Sequence, residues 1–130
     1  MTRQNSTSGS EWEEKVGYSR AVRMGNIIEV SGTVAADSSG EPIGEGDEYL
    51  QTRFILMRLE NTLSQLGASL TDVVRTRIYC TRIKNWQAIG KAHQEFFGSI
   101  GPATSMIEVA ALIHQDYLVE IEATAILENR

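Results

Sequence analysis

Two alternating runs near the carboxyl end carry the clearest period-two pattern in the chain. In the first, Thr104, Met106 and Glu108 fall on one face of an extended segment, with Ser105, Ile107 and Val109 on the other. In the second, Leu118, Glu120, Glu122 and Thr124 lie opposite Val119, Ile121, Ala123 and Ala125, the alternation of a half-buried strand. His114, Gln115 and Asp116 form a polar connection, so the runs predict an antiparallel hairpin. Its carboxylates, Glu120 and Glu122, then sit two residues apart on the side away from the aliphatic core.

Upstream the pattern changes period twice. Tyr18 to Met24 and Asn26 to Val34 read as strands joined at the turn Gly25-Asn26. The stretch from Asp37 to Gly46 holds three of the eleven glycines and one of the two prolines, and reads as an exposed, flexible loop. Asp47 is placed to cap a helix whose broad face holds Leu50, Phe54, Met57 and Asn61, with Ile55, Leu59, Leu63 and Leu66 beside them and Gly67 as its end. Val73 to Thr81 is a strand with Val74, Thr76, Ile78 and Cys80 on one side and Arg75, Arg77 and Tyr79 on the other. Asn85 is expected to cap a second helix with Trp86, Ile89, His93 and Phe96 on one stripe, stopped by Gly98. Residues 1–9 lack periodicity and are expected to form a mobile tail; residues 10–130 form a single domain, opening with a Ser10/Glu13 capping box.

The resulting order is β-β-α-β-α-β-β, an α+β fold. Two helices cover one face of such a sheet. The other face carries Arg75, Arg77, Tyr79, Glu120 and Glu122 together with Met106, a mixed surface suited to self-association.

Composition narrows the partners. A net charge of −5 repels polyanions, so nucleic acid is not an expected partner. No apolar run reaches the roughly 20 residues that span a bilayer, and the amino terminus shows no signal-like pattern, so cytoplasm is the expected address and a membrane role is not. The single cysteine, Cys80, cannot form an internal disulfide and falls on the core side of its strand. His93, His114 and Cys80 show no metal-ligand spacing, and Gly40, Gly44 and Gly46 lack the strand-to-helix context of a phosphate loop. Neither a metal nor a cofactor is expected.

The segments GYSRAV, IIEVSGTVA, LGASLTDVVRTRIY, EFFG, PATS and LVEIEATA together resemble the reactive intermediate deaminase (Rid, YjgF-like, endoribonuclease L-PSP-like) family from Val16 onward. The resemblance implies a chorismate-mutase-like fold assembled as a homotrimer, with helices outside, sheets closing a central barrel, and small-molecule clefts between subunits. In active members an arginine just after Pro-Ala holds the substrate carboxylate, and a strand glutamate holds the attacking water. The glutamate maps onto Glu120. The arginine's position holds Thr104, which offers one neutral hydrogen bond in place of a charge-assisted pair worth about 1.5 to 3 kcal/mol. Met106 stands where many members have cysteine, and Gly90 where asparagine is frequent.

What the resemblance implies is therefore a branch without the substrate-binding arginine. Glu120 is the expected catalytic residue, and Tyr18, Ser31, Gly32, Thr104 and Met106 line the recognition pocket. Arg77 is the candidate replacement cation, against the competing reading of an interface ion pair. The activity implied is cofactor-free hydrolysis or deamination of a small nitrogen-containing metabolite other than a standard 2-imino acid, with a less polar or non-carboxylate substrate suiting Thr104 and Met106. A non-catalytic trimer binding a metabolite or a protein is the alternative. Endoribonuclease or translation-inhibitor activity fits the acidic charge poorly.

Overall fold

Alternation along the central strands places Ile28, Val30, Ile78, Cys80, Val119, Ile121 and Ala123 on one side of a sheet, where each is buried. In the computed structural model, which describes residues 2–128, this stripe is covered by two helices. The elements are β1 (Arg3–Ser6), α1 (Glu11–Val16), β2 (Ala21–Met24), β3 (Ile27–Val34), α2 (Glu48–Gln65), β4 (Val73–Cys80), α3 (Trp86–Phe97), β5 (Ala103–Glu108) and β6 (Val119–Ile126). The six strands form one sheet in the order β1-β2-β3-β6-β4-β5. Packing α2 across β3 and β6 and beside α3 buries Ile55, Leu56, Leu59, Leu63 and Ile89 completely. At about 25 cal/mol per Å² of apolar surface, each such side chain contributes about 1.5 to 3 kcal/mol.

The α+β class and the two-helix layer are as expected, but the expected hairpin is not formed. β5 runs parallel to β4, pairing Thr76 with Thr104 and Ile78 with Met106, while β6 lies between β3 and β4, antiparallel to both. Two lengths explain this. Residues 109–118 are too many for a tight hairpin turn, and α3 supplies the crossover that a parallel pair requires. The consequence is a change of face. Thr104 shares the helix side with buried Thr76, and the open face receives Ser105, whose hydroxyl accepts a hydrogen bond from Arg75 Nη2 at 3.1 Å.

Four local expectations also need correction. Residues 3–6, expected in a mobile tail, are strand β1 on β2, where Ser6 donates to Gln65 at 2.9 Å. Backbone pairing at a sheet edge asks little of side-chain type, so a polar segment carried no signal of it. In α2 the buried face is Glu48, Gln51, Thr52, Ile55, Leu56, Leu59, Thr62 and Leu63, whereas Leu50 and Met57 are exposed. The buried polar residues earn their place by bonding: Gln51 donates to the Asp116 carbonyl at 2.8 Å and accepts from the Leu118 N–H at 2.9 Å. Asn85 makes no capping bond to α3; its amide donates to Glu48 Oε2 at 2.8 Å. Gly98 has right-handed helical geometry, and the left-handed residue that ends this turn is Gly101 at φ 65°.

Asp47 does cap α2, accepting from the Leu50 N–H at 3.0 Å, and Ser10 caps α1. The carboxylate of Glu13 accepts from the Ser8 N–H and from the hydroxyls of Ser8 and Ser10. This fastens residues 8–10 against α1, beside the end of β3 where the site forms.

Candidate functional site

The site begins with an irregularity in β3. Val30 pairs with Ala123 and Thr33 with Ile121, so Ser31 and Gly32 together oppose the single residue Glu122. A two-against-one bulge bends its strand and re-aims the side chains beside it. Gly32 is needed there because a Cβ would lie 2.8 Å from Glu120 Cδ and closer still to Oε2. The bulged backbone and the Glu120 carboxylate thus occupy adjoining space that only glycine leaves open. Ser31 fixes the bulge from the other side, its hydroxyl donating to the Ser19 carbonyl at 2.7 Å.

A cavity of about 720 Å³ opens at this point, lined by Tyr18, Arg20, Ser31, Gly32, Arg58, Tyr117 and Glu120 among others. That volume suits a small metabolite. Glu120 accepts no hydrogen bond from the described protein atoms, although its neighbours on the open face are paired. Burial pushes its carboxyl above the ordinary carboxylate range; the charge of Arg20 opposes this and that of Glu122 adds to it. A carboxyl with an elevated pKa and unoccupied oxygens can take a proton from water and return it.

Of the residues singled out from sequence, Tyr18, Ser31, Gly32 and Glu120 are brought together in this cavity. Thr104, Met106 and Arg77 do not line it. Thr104 is the end of a chain on the helix side: it accepts from Thr76 Oγ1 at 2.7 Å, and Thr76 meets His93 Nε2 at 2.9 Å. Burial lowers the His93 pKa, keeping the ring neutral near pH 7, and the ring stacks at 4.8 Å from Phe97. Met106 packs against the core. Arg77 lies on the open face, with Nε 3.7 Å from Glu122 Oε1 and Nη1 3.5 Å from Thr124 Oγ1. Tyr79 donates to the same Glu122 oxygen at 2.9 Å, and this hydrogen bond is the main reason its phenol pKa is raised. Arg77 is thus committed to a surface network.

Arg20, Arg58 and Tyr117 were not anticipated. Arg20 was visible in principle, because it stands two residues after Tyr18 in an extended stretch and so shares its face; its guanidinium lies 5.9 Å from the Tyr18 ring centre. Arg58 comes from α2 and donates to the Val34 carbonyl at 2.8 Å. Tyr117 donates to the Gly40 carbonyl, which ties the loop after β3 to the segment before β6. Among the described residues no group of three or more His, Cys, Asp or Glu side chains is arranged to hold a metal ion, and no helix is long and apolar enough to cross a membrane.

Known proteins are similar to this chain in sequence and fold. The family model for endoribonuclease L-PSP matches residues 9–127. A protein of Streptomyces coelicolor, SCO2049, is 36% identical over 119 residues, covering 91% of this chain and 87% of that one. The crystal structure of Rv2704 from Mycobacterium tuberculosis, a member of the YjgF/YER057c/UK114 family, superposes with a TM-score of 0.88 at 49% identity, covering 97% of this chain and all of the other. The structure of Escherichia coli TdcF with bound serine gives 0.77 at 25% identity, covering 85% of this chain and 88% of the other. A matched family model over nearly the whole chain, a close structural relative and the six-stranded sheet under two helices agree: this chain belongs to the endoribonuclease L-PSP family, the Rid/YjgF proteins.

Proposed function

We propose that the protein is a cofactor-free hydrolase of a small imine or enamine, with Glu120 positioning the attacking water. The observation that carries this reading is the Glu120 carboxyl itself, raised in pKa, without a hydrogen bond among the described residues, and facing a cavity of metabolite size. In the reaction, water adds to the carbon of a C=N bond while Glu120 takes one of its protons. The proton returns to the nitrogen, and the hydroxyl proton then passes to the same nitrogen as the C–N bond breaks, so that a carbonyl compound and ammonia leave. Tyr18, at the rim, and the Ser31-Gly32 bulge orient the molecule. TdcF, a relative with serine bound, shows that a small amino acid can be held by a protein of this fold.

The proposal includes a homotrimer. Within one subunit Thr104 and Glu120 lie on opposite faces of the sheet, so they share a cleft only if Thr104 comes from a neighbouring copy. Thr104 supplies no cation, and recognition therefore differs from that of a standard 2-imino-acid deaminase. The same threonine favours a second reading, a metabolite-binding trimer without turnover.

Hydrolysis of freshly generated 2-imino acids and of neutral imines, measured for the wild-type protein, Glu120→Gln and Thr104→Arg, separates these readings. Turnover of some imine by the wild type, falling about 10²- to 10⁴-fold in Glu120→Gln, is the expected outcome. Activity on 2-iminobutyrate that is unchanged in Glu120→Gln would remove Glu120 from the mechanism. Binding without turnover in every variant moves the protein to the second reading.

A further inference from the structure

Helix α1 inverts the usual arrangement of a surface helix, which sends its apolar stripe inward and its charges to water. In α1 the carboxylate of Glu13 is buried and held by Ser8 and Ser10, while Trp12 and Val16, one turn apart, are exposed, Val16 at 70%. Both line the Glu120 cavity. Gly17, left-handed at φ 88°, ends the helix, and the chain then delivers Tyr18 to the same cavity. Ile113, 64% exposed, joins them from the segment before β6.

Single exposed apolar side chains are ordinary on a protein surface, but four gathered on one cavity are not. The supports on both sides are fixed. Glu13 fastens α1 to residues 8–10, and Lys15, paired with Glu11 at 3.1 Å, holds its ammonium 5.8 Å from the Trp12 ring centre. The Ile113 segment is held by the Tyr117 N–H donating to the His114 carbonyl at 3.0 Å and by the bond from the Tyr117 hydroxyl to Gly40. The same cavity presents Glu120, Arg20 and Arg58, so it offers a charged part and an apolar part. Tyr18, with the Arg20 guanidinium 5.9 Å from its ring centre, joins the two.

We propose that Trp12, Val16 and Ile113 form an apolar subsite that holds an aromatic or branched aliphatic group of the substrate while its C=N end meets Glu120. A volume of about 720 Å³ leaves room for such a group beyond the reacting atoms. An indole beside two aliphatic side chains gains most from a flat or branched apolar partner, and covering them removes from water the surface that α1 exposes. The inference rests on reading this cavity as the substrate site, and it narrows the substrate to an imine or enamine with a bulky apolar substituent. Trp12, Val16 and Ile113 are then specificity residues, with no part in moving protons.

Binding of stable carbonyl compounds tests the subsite without requiring turnover. 2-Butanone is compared with 4-phenyl-2-butanone, and 2-oxobutyrate with 2-oxo-4-phenylbutyrate, by calorimetry on the full-length protein. Each pair shares a head and differs by one phenyl ring, so the result does not depend on which head the charged part prefers. In at least one pair the phenyl member is expected to bind about tenfold or more tightly than its parent. Trp12→Ala and Ile113→Ser alter exposed side chains and should melt cooperatively; each should weaken the phenyl member about fivefold or more beyond its effect on the parent. In Trp86→Phe, Trp12 is the single remaining indole, and its emission should move to shorter wavelength with 4-phenyl-2-butanone but not with 2-butanone. Equal affinities within both pairs, a phenyl preference intact in both variants, or Trp12 emission unmoved by a bound phenyl compound would each overturn the subsite. So would a loss of assembly mass in Trp12→Ala by light scattering with the preference intact, which makes these side chains a contact between copies. Turnover of imines with no phenyl preference overturns the subsite and leaves the hydrolase reading standing. Phenyl-dependent binding with no turnover of any imine does the reverse.

Discussion

The Glu120 cavity and the hydroxyl chain under Thr104 lie on opposite faces of one sheet and treat their polar groups in opposite ways. In the chain, His93, Thr76 and Thr104 bond to one another and no charge is involved. Around Glu120, by contrast, a carboxylate and two guanidinium groups converge with hydrogen-bonding capacity left over. A polar cluster satisfied from within holds structure together, and one left open is equipped to meet a ligand. On the reading proposed above, the contrast favours the bulge side of the sheet for recognition, although position 104 attracts attention first.

The sharpest way to break the comparison is Gly32→Ala. The added methyl group displaces the Glu120 carboxylate, a flexible side chain, more than it disturbs the backbone. Imine turnover should fall about a hundredfold, as misplacement by an ångström can produce. Urea denaturation should show a stability loss of only ~1 kcal/mol. Thr76→Val tests the other side. It strips the central hydroxyl from a buried position and leaves His93 and Thr104 without their partner, costing about 1 to 2 kcal/mol by the same denaturation assay. Turnover per folded molecule should change far less than in Gly32→Ala, and a collapse in turnover would show that the two regions are coupled.

A smaller effect follows from the titration of Glu120. Because its folded-state pKa is raised, ionisation is harder in the folded protein than in the unfolded chain. Its contribution favours folding at acid pH and is lost as pH rises through the folded value. Glu120→Gln should therefore melt roughly 2 to 4 °C higher than wild type at pH 8, with the gap closing toward pH 4. Calorimetric scans at both pH values check this, and a gap that widens on acidification would reverse the assignment. Smallest of all is Arg77→Gln. Its pair with Glu122 is over a third exposed, so stability should change by less than about 1 kcal/mol.

Period-two alternation located β3, β4 and β6 because each has one face in the core, and the resemblance of GYSRAV and IIEVSGTVA placed Tyr18, Ser31, Gly32 and Glu120 in one pocket. Alternation says which side chains share a face, however, and not which strands are neighbours. That is why alternation alone joins β5 to β6 when the crossover through α3 sets it beside β4, and why it puts Thr104 on the wrong face. Arg58 was illegible for a related reason. An arginine among the polar positions of a long helix looks solvated until the end of β3 and the Tyr117 segment close around it. The strand at residues 3–6 was missed because its bonds are made by backbone, which every sequence carries.

The Tyr117 to Gly40 bond joins two connecting segments, and each contributes to the cavity rim, whereas Glu120 stands on a central strand. Part of the rim is thereby carried by connecting segments, and the carboxylate by the sheet. On the proposed reading, changes within residues 37–46 are expected to reshape the cavity rim before they disturb the sheet register that fixes Glu120.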